Sequence, residues 1–213
     1  MQLKKLYMVS LFLLIVSCNK VDNINEEIAV VGYMYNSIPK KLPPPPPTKN
    51  SELDSSIFNR IDYSKLKPFR FSYAIYERFD NSGLNREINT SFFKAKSNKL
   101  FERENIDSLE TVLVKNLGNV NGDIFIDKKH LNNYVNEDLL YLNKRFLNKE
   151  IKEKYSITGI MTFSRVSFNK EFNRAAIAVG IHGGRLNSSY TIYILEKIKN
   201  KWKTKYYLTI EES

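Results

Sequence analysis

Toward its C-terminus the chain reads GIMTFSRVSF (Gly159–Phe168), AAIAVGIH (Ala175–His182), YTIYILEK (Tyr190–Lys197) and KWKTKYYLTI (Lys201–Ile210). Each block is rich in β-branched and aromatic residues. Short polar stretches, including Asn169 to Asn173 and Lys199-Asn200, separate them, so the pattern predicts four antiparallel strands joined by tight turns. In the second block Ile177, Val179 and Ile181 share one face, and Ala176, Ala178 and Gly180 share the other. A face of small residues lets a helix pack closely or leaves space for a pocket. In the last block alternation assigns Trp202, Tyr206 and Leu208 to the core and Lys201, Lys203 and Lys205 to an outward basic stripe.

Upstream of this sheet the apolar spacing changes. Asn136 caps a predicted helix from Glu137 to about Lys154, with Leu139, Leu142, Phe146, Leu147 and Ile151 on one face and basic residues in its last turn. Lys128 to Val135 predicts a short helix, and Asn119 to Asp127 a loop with a short strand. Asp107 followed three residues later by Glu110 is a capping-box pattern, opening a helix with the stripe Leu109, Val112, Leu113 and Leu117 and stopped by Gly118. Phe69, Phe71, Tyr73 and Ile75 alternate with Arg70, Ser72 and Ala74, the period of a half-buried strand. Asn81-Ser82-Gly83 supplies a turn, and Leu84 to Phe93 a second strand or an irregular segment. Helices followed by a terminal four-stranded meander make the fold class α+β.

Residues 68–213 are expected to form this single domain, and residues 18–67 a tether. Pro43 to Pro47 are an unbroken proline run, which reads as a stiff, extended spacer. A turn of helix is expected near Ser56 to Leu66. Ile24, Ile28, Val31 and Tyr35 recur at helical spacing behind Asp22, predicting a short helix from Asp22 to Asn36 that either docks on the domain or sits near a membrane.

Residues 1–17 have the parts of an export leader: basic Lys4 and Lys5, an apolar run from Leu6 to Val16, and small Ser17 before Cys18. The run is too short to span a bilayer as a helix. Ile15-Val16-Ser17-Cys18 resembles the lipobox of bacterial lipoprotein leaders, which implies cleavage after Ser17 and a diacylglycerol thioether on Cys18, whose free amine can take a third acyl chain. Two or three chains anchor a protein effectively permanently. Cys18 is the only cysteine among 213 residues, so an exported domain has no internal disulfide and relies on its own core.

The formal net charge is +10 at pH 7. Such a balance favours anionic partners such as an envelope polyanion or an acidic protein. No stretch matches a nucleic-acid module, and the expected partners are membrane lipid through Cys18 and an anionic envelope component, not nucleic acid. Neither a phosphate-cradling glycine loop nor a nucleophile-elbow motif is present, and no cofactor is expected. His182, beside Gly183-Gly184 at a strand end, is the one candidate catalytic base. Asp123, Asp127 and His130 lie near one another, but their spacing matches no established ligand pattern, and no metal site is expected. Arg165 stands among small and apolar strand residues, a candidate for anion binding or for a cross-strand pair with Glu196.

Ser164-Arg165-Val166-Ser167-Phe168-Asn169-Lys170, the Ala175 to Gly184 strand, Leu195-Glu196-Lys197 and Lys201-Trp202-Lys203 together resemble the C-terminal part of a group of uncharacterised Bacteroidota lipoproteins. The group implies no function. Its members often carry a longer Gly- and Cys-containing loop where this chain has Arg185-Leu186-Asn187-Ser188-Ser189. A long helix followed by strands and a closing hairpin is also similar to cystatin-like and nuclear-transport-factor-like domains, an analogy of fold from which no activity follows. The expected function is a non-catalytic binding or interaction domain anchored in the cell envelope, at the outer membrane in preference to the inner. The alternatives are a hydrolase or transferase using His182, and an inhibitor or immunity protein against an acidic enzyme or toxin.

Overall fold

The small-residue face of the second terminal strand is where the tertiary structure is organised. The computed structural model describes residues 19–42, 69–82, 84–89, 107–135, 137–184 and 187–212. Cys18, the proline run and the turn of helix expected near Ser56 lie outside them. Three long strands, β7 (Arg174–Gly184), β8 (Asn187–Ile198) and β9 (Lys201–Glu212), form the expected antiparallel meander. The remaining predicted strand is split into β5 (Gly159–Phe163) and β6 (Ser167–Phe168), both antiparallel to β7. At the break the Ser164 hydroxyl oxygen accepts the Ala178 N–H at 2.8 Å, and Arg165 turns out of the sheet.

The sheet continues beyond the meander. β3 (Tyr73–Phe79) lies parallel to β5 and to the short edge strand β4 (Tyr141–Leu142), giving the order β4-β3-β5-β7-β8-β9 with β6 on β7. Seven strands, mostly antiparallel, with helices on both faces make an α+β domain.

One face buries Ile75, Met161, Phe163, Ile177, Val179 and Leu195 against helix α1 (Asn19–Ser37) through Ile28, Val30, Val31, Met34 and Tyr35. On the other, Ala176 and Ala178, with Ile192 and Ile194, meet Leu113, Val114 and Leu117 of helix α3 (Ser108–Leu117), beside Leu84 of α2 (Leu84–Glu87). The alanine row therefore does let a helix pack close. A second patch on this face, Ala74 and Ile160, is covered by Leu147, Ile157 and Ile151 of α5 (Lys149–Tyr155). A short α4 (Lys128–Leu131), within the segment expected as helix, adds Leu131 to the first core.

Helix α1, which the sequence leaves either docked on the domain or near a membrane, is docked. Each buried side chain of α1 contributes roughly 1.5–3 kcal/mol, several times what helix propensity supplies, so α1 belongs to the folded body. β1 (Lys41–Leu42) pairs antiparallel with β2 (Phe69–Arg70), Lys41 opposite Arg70 and Leu42 opposite Phe69. This ladder sets Leu42 beside Phe69, and residues 43–68, proline run included, lie outside the described residues. The strand expected from Phe69 is split at Phe71-Ser72 into β2 and β3, and Leu84–Glu87 is helical where a strand or irregular segment was expected.

The helix expected from Glu137 to Lys154 forms only as Lys149–Tyr155, with Asn148 as its cap through an N–H bond from Ile151. Leu139 and Tyr141 pack on the first core while Leu140 and Leu142 pack on the third. That is a period of two, and a strand edge wins over the helical reading. The analogy with cystatin-like and nuclear-transport-factor-like domains started from the long helix, and loses that basis. In α3 the capping box forms as expected, but the buried stripe is Glu110, Leu113, Val114 and Leu117, with Leu109 and Val112 exposed.

In β9, Leu195 pairs with Thr204 and Ile194 with Tyr206, leaving Lys205 as an extra residue in a bulge. The bulge reverses the facing of the residues after it, as far as a second register shift at Ile210. Trp202 packs on the α1 side, whereas Tyr206, Leu208 and Ile210 pack on the α3 side.

Candidate functional site

Between the two helix-covered patches of the second face, β5 and β7 present polar groups. Thr162 on β5 lies opposite Gly180 on β7, and Ile160 lies opposite His182. A Cβ at Gly180 would lie 2.4 Å from Thr162 Oγ1 and 3.0 Å from both His182 Nε2 and Tyr190 Cδ2. Only glycine leaves room for these three side chains to converge. His182 Nε2 meets Thr162 Oγ1 and its Nδ1 meets Ser188 Oγ, each at 3.4 Å. The Phe146 ring stands edge-on against the imidazole, centroids 5.2 Å apart. Burial pushes the His182 pKa below the ordinary imidazole range; nearby Asp80 opposes that shift and Arg145 adds to it.

Asp80 directly follows β3 and forms the charged centre of the site. Its carboxylate accepts the Ser82 N–H at 3.0 Å, the Ser82 hydroxyl at 2.6 Å and an Arg145 N–H at 2.7 Å. Arg145 also donates to the Ser82 hydroxyl. Burial alone would raise the carboxyl pKa, but these bonds from Ser82 and Arg145 outweigh it and hold Asp80 below the usual carboxylate range. Tyr190 donates from its hydroxyl toward the Asp80 carbonyl at 3.5 Å. Beside this group opens a cleft of about 440 Å³, lined in part by Tyr76, Asp80, Ser82, Asn121, Asp123 and Arg145. Its walls offer a guanidinium, carboxylates, amide groups and an aromatic face. That set suits a polar molecule bearing both donors and acceptors.

No family model, no curated protein and no solved structure is found to match this chain. The chemistry of the site therefore rests on its own geometry. His182 has hydroxyl neighbours at 3.4 Å, long for a working hydrogen bond, and Asp80, the carboxylate that acts on it electrostatically, is engaged by Ser82 and Arg145.

The remaining sequence candidates are dispersed. Arg165 does not pair with Glu196. Its Nε donates to Glu27 of α1 at 2.7 Å, its backbone N–H to Asn81 at 2.8 Å, and its guanidinium lies over the Phe79 ring. Lys201 and Lys203 are exposed, but Lys205 turns from the expected outward stripe to Glu110 at 2.6 Å, where Arg174 also binds at 2.7 Å. Asp127 caps α4 and contacts His130 Nδ1 at 2.6 Å, whereas Asp123 pairs with Arg78. Among the described residues no group of three such side chains is placed to hold a metal ion. Gly184 sits at φ 151°, a turn conformation suited to glycine.

Asp80, Arg145, Phe146 and Tyr190 were not singled out from the sequence. The Asp80-Asn81-Ser82 stretch carries a turn signal, and the aspartate two residues before the N–H it accepts was a legible trace of it. Arg145 carried no such signal because the segment around it reads as helix.

Proposed function

We propose that this protein is a lipid-anchored lipoprotein of the bacterial cell envelope, at the outer membrane, whose α+β domain binds a polar ligand or partner at the Asp80–Arg145 cleft without catalysing its conversion. The anchor half of this reading is carried by the leader that ends in Ile15-Val16-Ser17-Cys18. Lipid on Cys18 would anchor the chain without a spanning helix. The binding half is carried by the open cleft and its Arg145–Asp80–Ser82 network. A guanidinium held in place by a carboxylate presents its remaining N–H groups in fixed directions, which favours recognition of a planar anionic or carbonyl group.

The test has two arms. Cells expressing the full chain with a clickable fatty acid label the wild type, and Cys18→Ala loses the label; equal labelling of both ends the anchor reading. Capture from detergent-solubilised envelopes then recovers the same binder with wild type and with Thr158→Ala, and loses it with Arg145→Ala. Recovery unchanged by Arg145→Ala removes the cleft as the binding site. A stoichiometric acidic protein in the wild-type capture turns the reading to the inhibitor or immunity class.

A further inference from the structure

Helix α1 begins at Asn19, directly after Cys18, and Glu26 in it is fixed to the far end of the β8–β9 hairpin. Lys197 Nζ binds the Glu26 carboxylate at 2.6 Å, and the Trp202 indole N–H donates to it at 3.2 Å. The seven helical steps from Asn19 to Glu26 span about 10 Å at 1.5 Å per residue. Asn19, the residue that follows Cys18 in the sequence, is therefore within about 10 Å of Glu26 along the helix axis.

The tip has an unusual surface. Lys197-Ile198-Lys199-Asn200-Lys201 makes the turn, with Lys199 and Asn200 at positive φ, and Ile198 is 40% exposed between lysines. Ile24, two residues before Glu26, is 56% exposed. Each isoleucine is thus within two residues of a member of one ion pair. The neighbouring loop joins the same end, because Asn173 accepts the Lys197 N–H at 2.8 Å, and it adds exposed Lys170. Glu26 is engaged by Lys197 and Trp202 and Glu27 by Arg165 and the Val166 N–H, while Glu171 is exposed and accepts from Asn169. Exposed Lys170, Lys199 and Lys201 outnumber exposed Glu171 here and give this outer surface a positive balance.

We propose that this end of the domain, the β8–β9 tip with Lys170 and Ile24, is a membrane-apposed surface that rests on anionic phospholipid headgroups. This rests on the reading of Cys18 as the lipidated residue. Lysines gain from the negative surface potential within a Debye length, and isolated exposed aliphatic side chains between them enter the headgroup region. The lipid holds the domain near the bilayer, and the tip fixes which end faces it.

The test uses the lipidated full chain in vesicles of phosphatidylcholine, with or without phosphatidylglycerol, and a headgroup nitroxide lipid as quencher. Ile198→Cys supplies a thiol for an environment-sensitive fluorophore, since Cys18 is blocked by its lipid. Tyr155→Cys, at the end of α5 just before β5 begins and thus at the opposite end of the sheet, is the reference. Quenching about twofold stronger at position 198 than at 155 is expected, greater with phosphatidylglycerol and reduced by Lys199→Glu with Lys201→Glu. Equal quenching at both positions, or no response to phosphatidylglycerol, overturns the surface. Fatty-acid labelling of Cys18 in the same samples separates the two failures: with the label present, equal quenching removes the surface alone, and without it the anchor and the surface fall together.

Discussion

Glu27 and Arg165, 138 residues apart, are joined by an ion pair of 2.7 Å in which the carboxylate is almost fully buried. The same Glu27 oxygen accepts the Val166 N–H at 2.8 Å. One side chain thus attaches the first helix to the loop that breaks the central sheet.

Removing that carboxylate leaves a buried N–H unsatisfied and a half-buried guanidinium unpaired. Glu27→Ala is expected to lower unfolding stability by about 2–4 kcal/mol, read as a fall in the urea midpoint. Glu27→Gln, which keeps an acceptor, recovers part of it. A midpoint unchanged by Glu27→Ala would mean that α1 is not held at this contact.

Gly32 tests the docking of α1 by the sign of the effect. In a free helix Gly→Ala stabilises by about 1 kcal/mol. Here a Cβ at position 32 would lie 2.4 Å from the Tyr134 Cβ, a contact that requires backbone movement. Gly32→Ala is expected to lower the melting temperature, and a rise would show α1 undocked.

Glu110 is fully buried between Arg174 and Lys205, and its other oxygen accepts the Asp107 N–H at 3.1 Å. The bond to Glu110 raises the Lys205 pKa above the ordinary lysine value. A raised folded value stabilises fully below the unfolded value and is lost as pH rises through the folded one. The urea midpoint is therefore expected to fall on going from about pH 9 to above about pH 11. Lys205→Met should flatten that fall, and an unchanged profile would exclude the pair as its source.

His182 titrates in the opposite sense. Its folded pKa is depressed, so the unfolded chain takes up the proton first, and stability contributed by the neutral ring is lost as pH falls below about 6.5. In NMR titration the His182 ring signals are expected to shift below the ordinary imidazole range. Phe146, 62% exposed, covers the imidazole edge-on. Phe146→Ala should move the His182 midpoint upward by admitting water, and no movement would show that the ring does not contribute to its burial.

The meander, the small-residue face, the capping box of α3 and the α+β class were legible in the sequence because each rests on local periodicity or on a side chain acting within four residues of itself. Asp107 and Glu110 cap one another whatever the rest of the chain does. The helical pattern of α1 was legible for the same reason, as was the sequence resemblance of Ile15-Val16-Ser17-Cys18 to a lipobox. What only the tertiary structure decided is long-range. Leu139 to Leu142 fit a helix until two cores on opposite sides of a sheet edge claim alternate residues. The bulge at Lys205 sends Tyr206 to the other face because each strand must match its neighbour's register, and the sequence carries no mark of that register. Arg165 meets Glu27, and Arg145 meets Asp80, because burial of a charge demands a partner while chain separation places no limit on where that partner comes from.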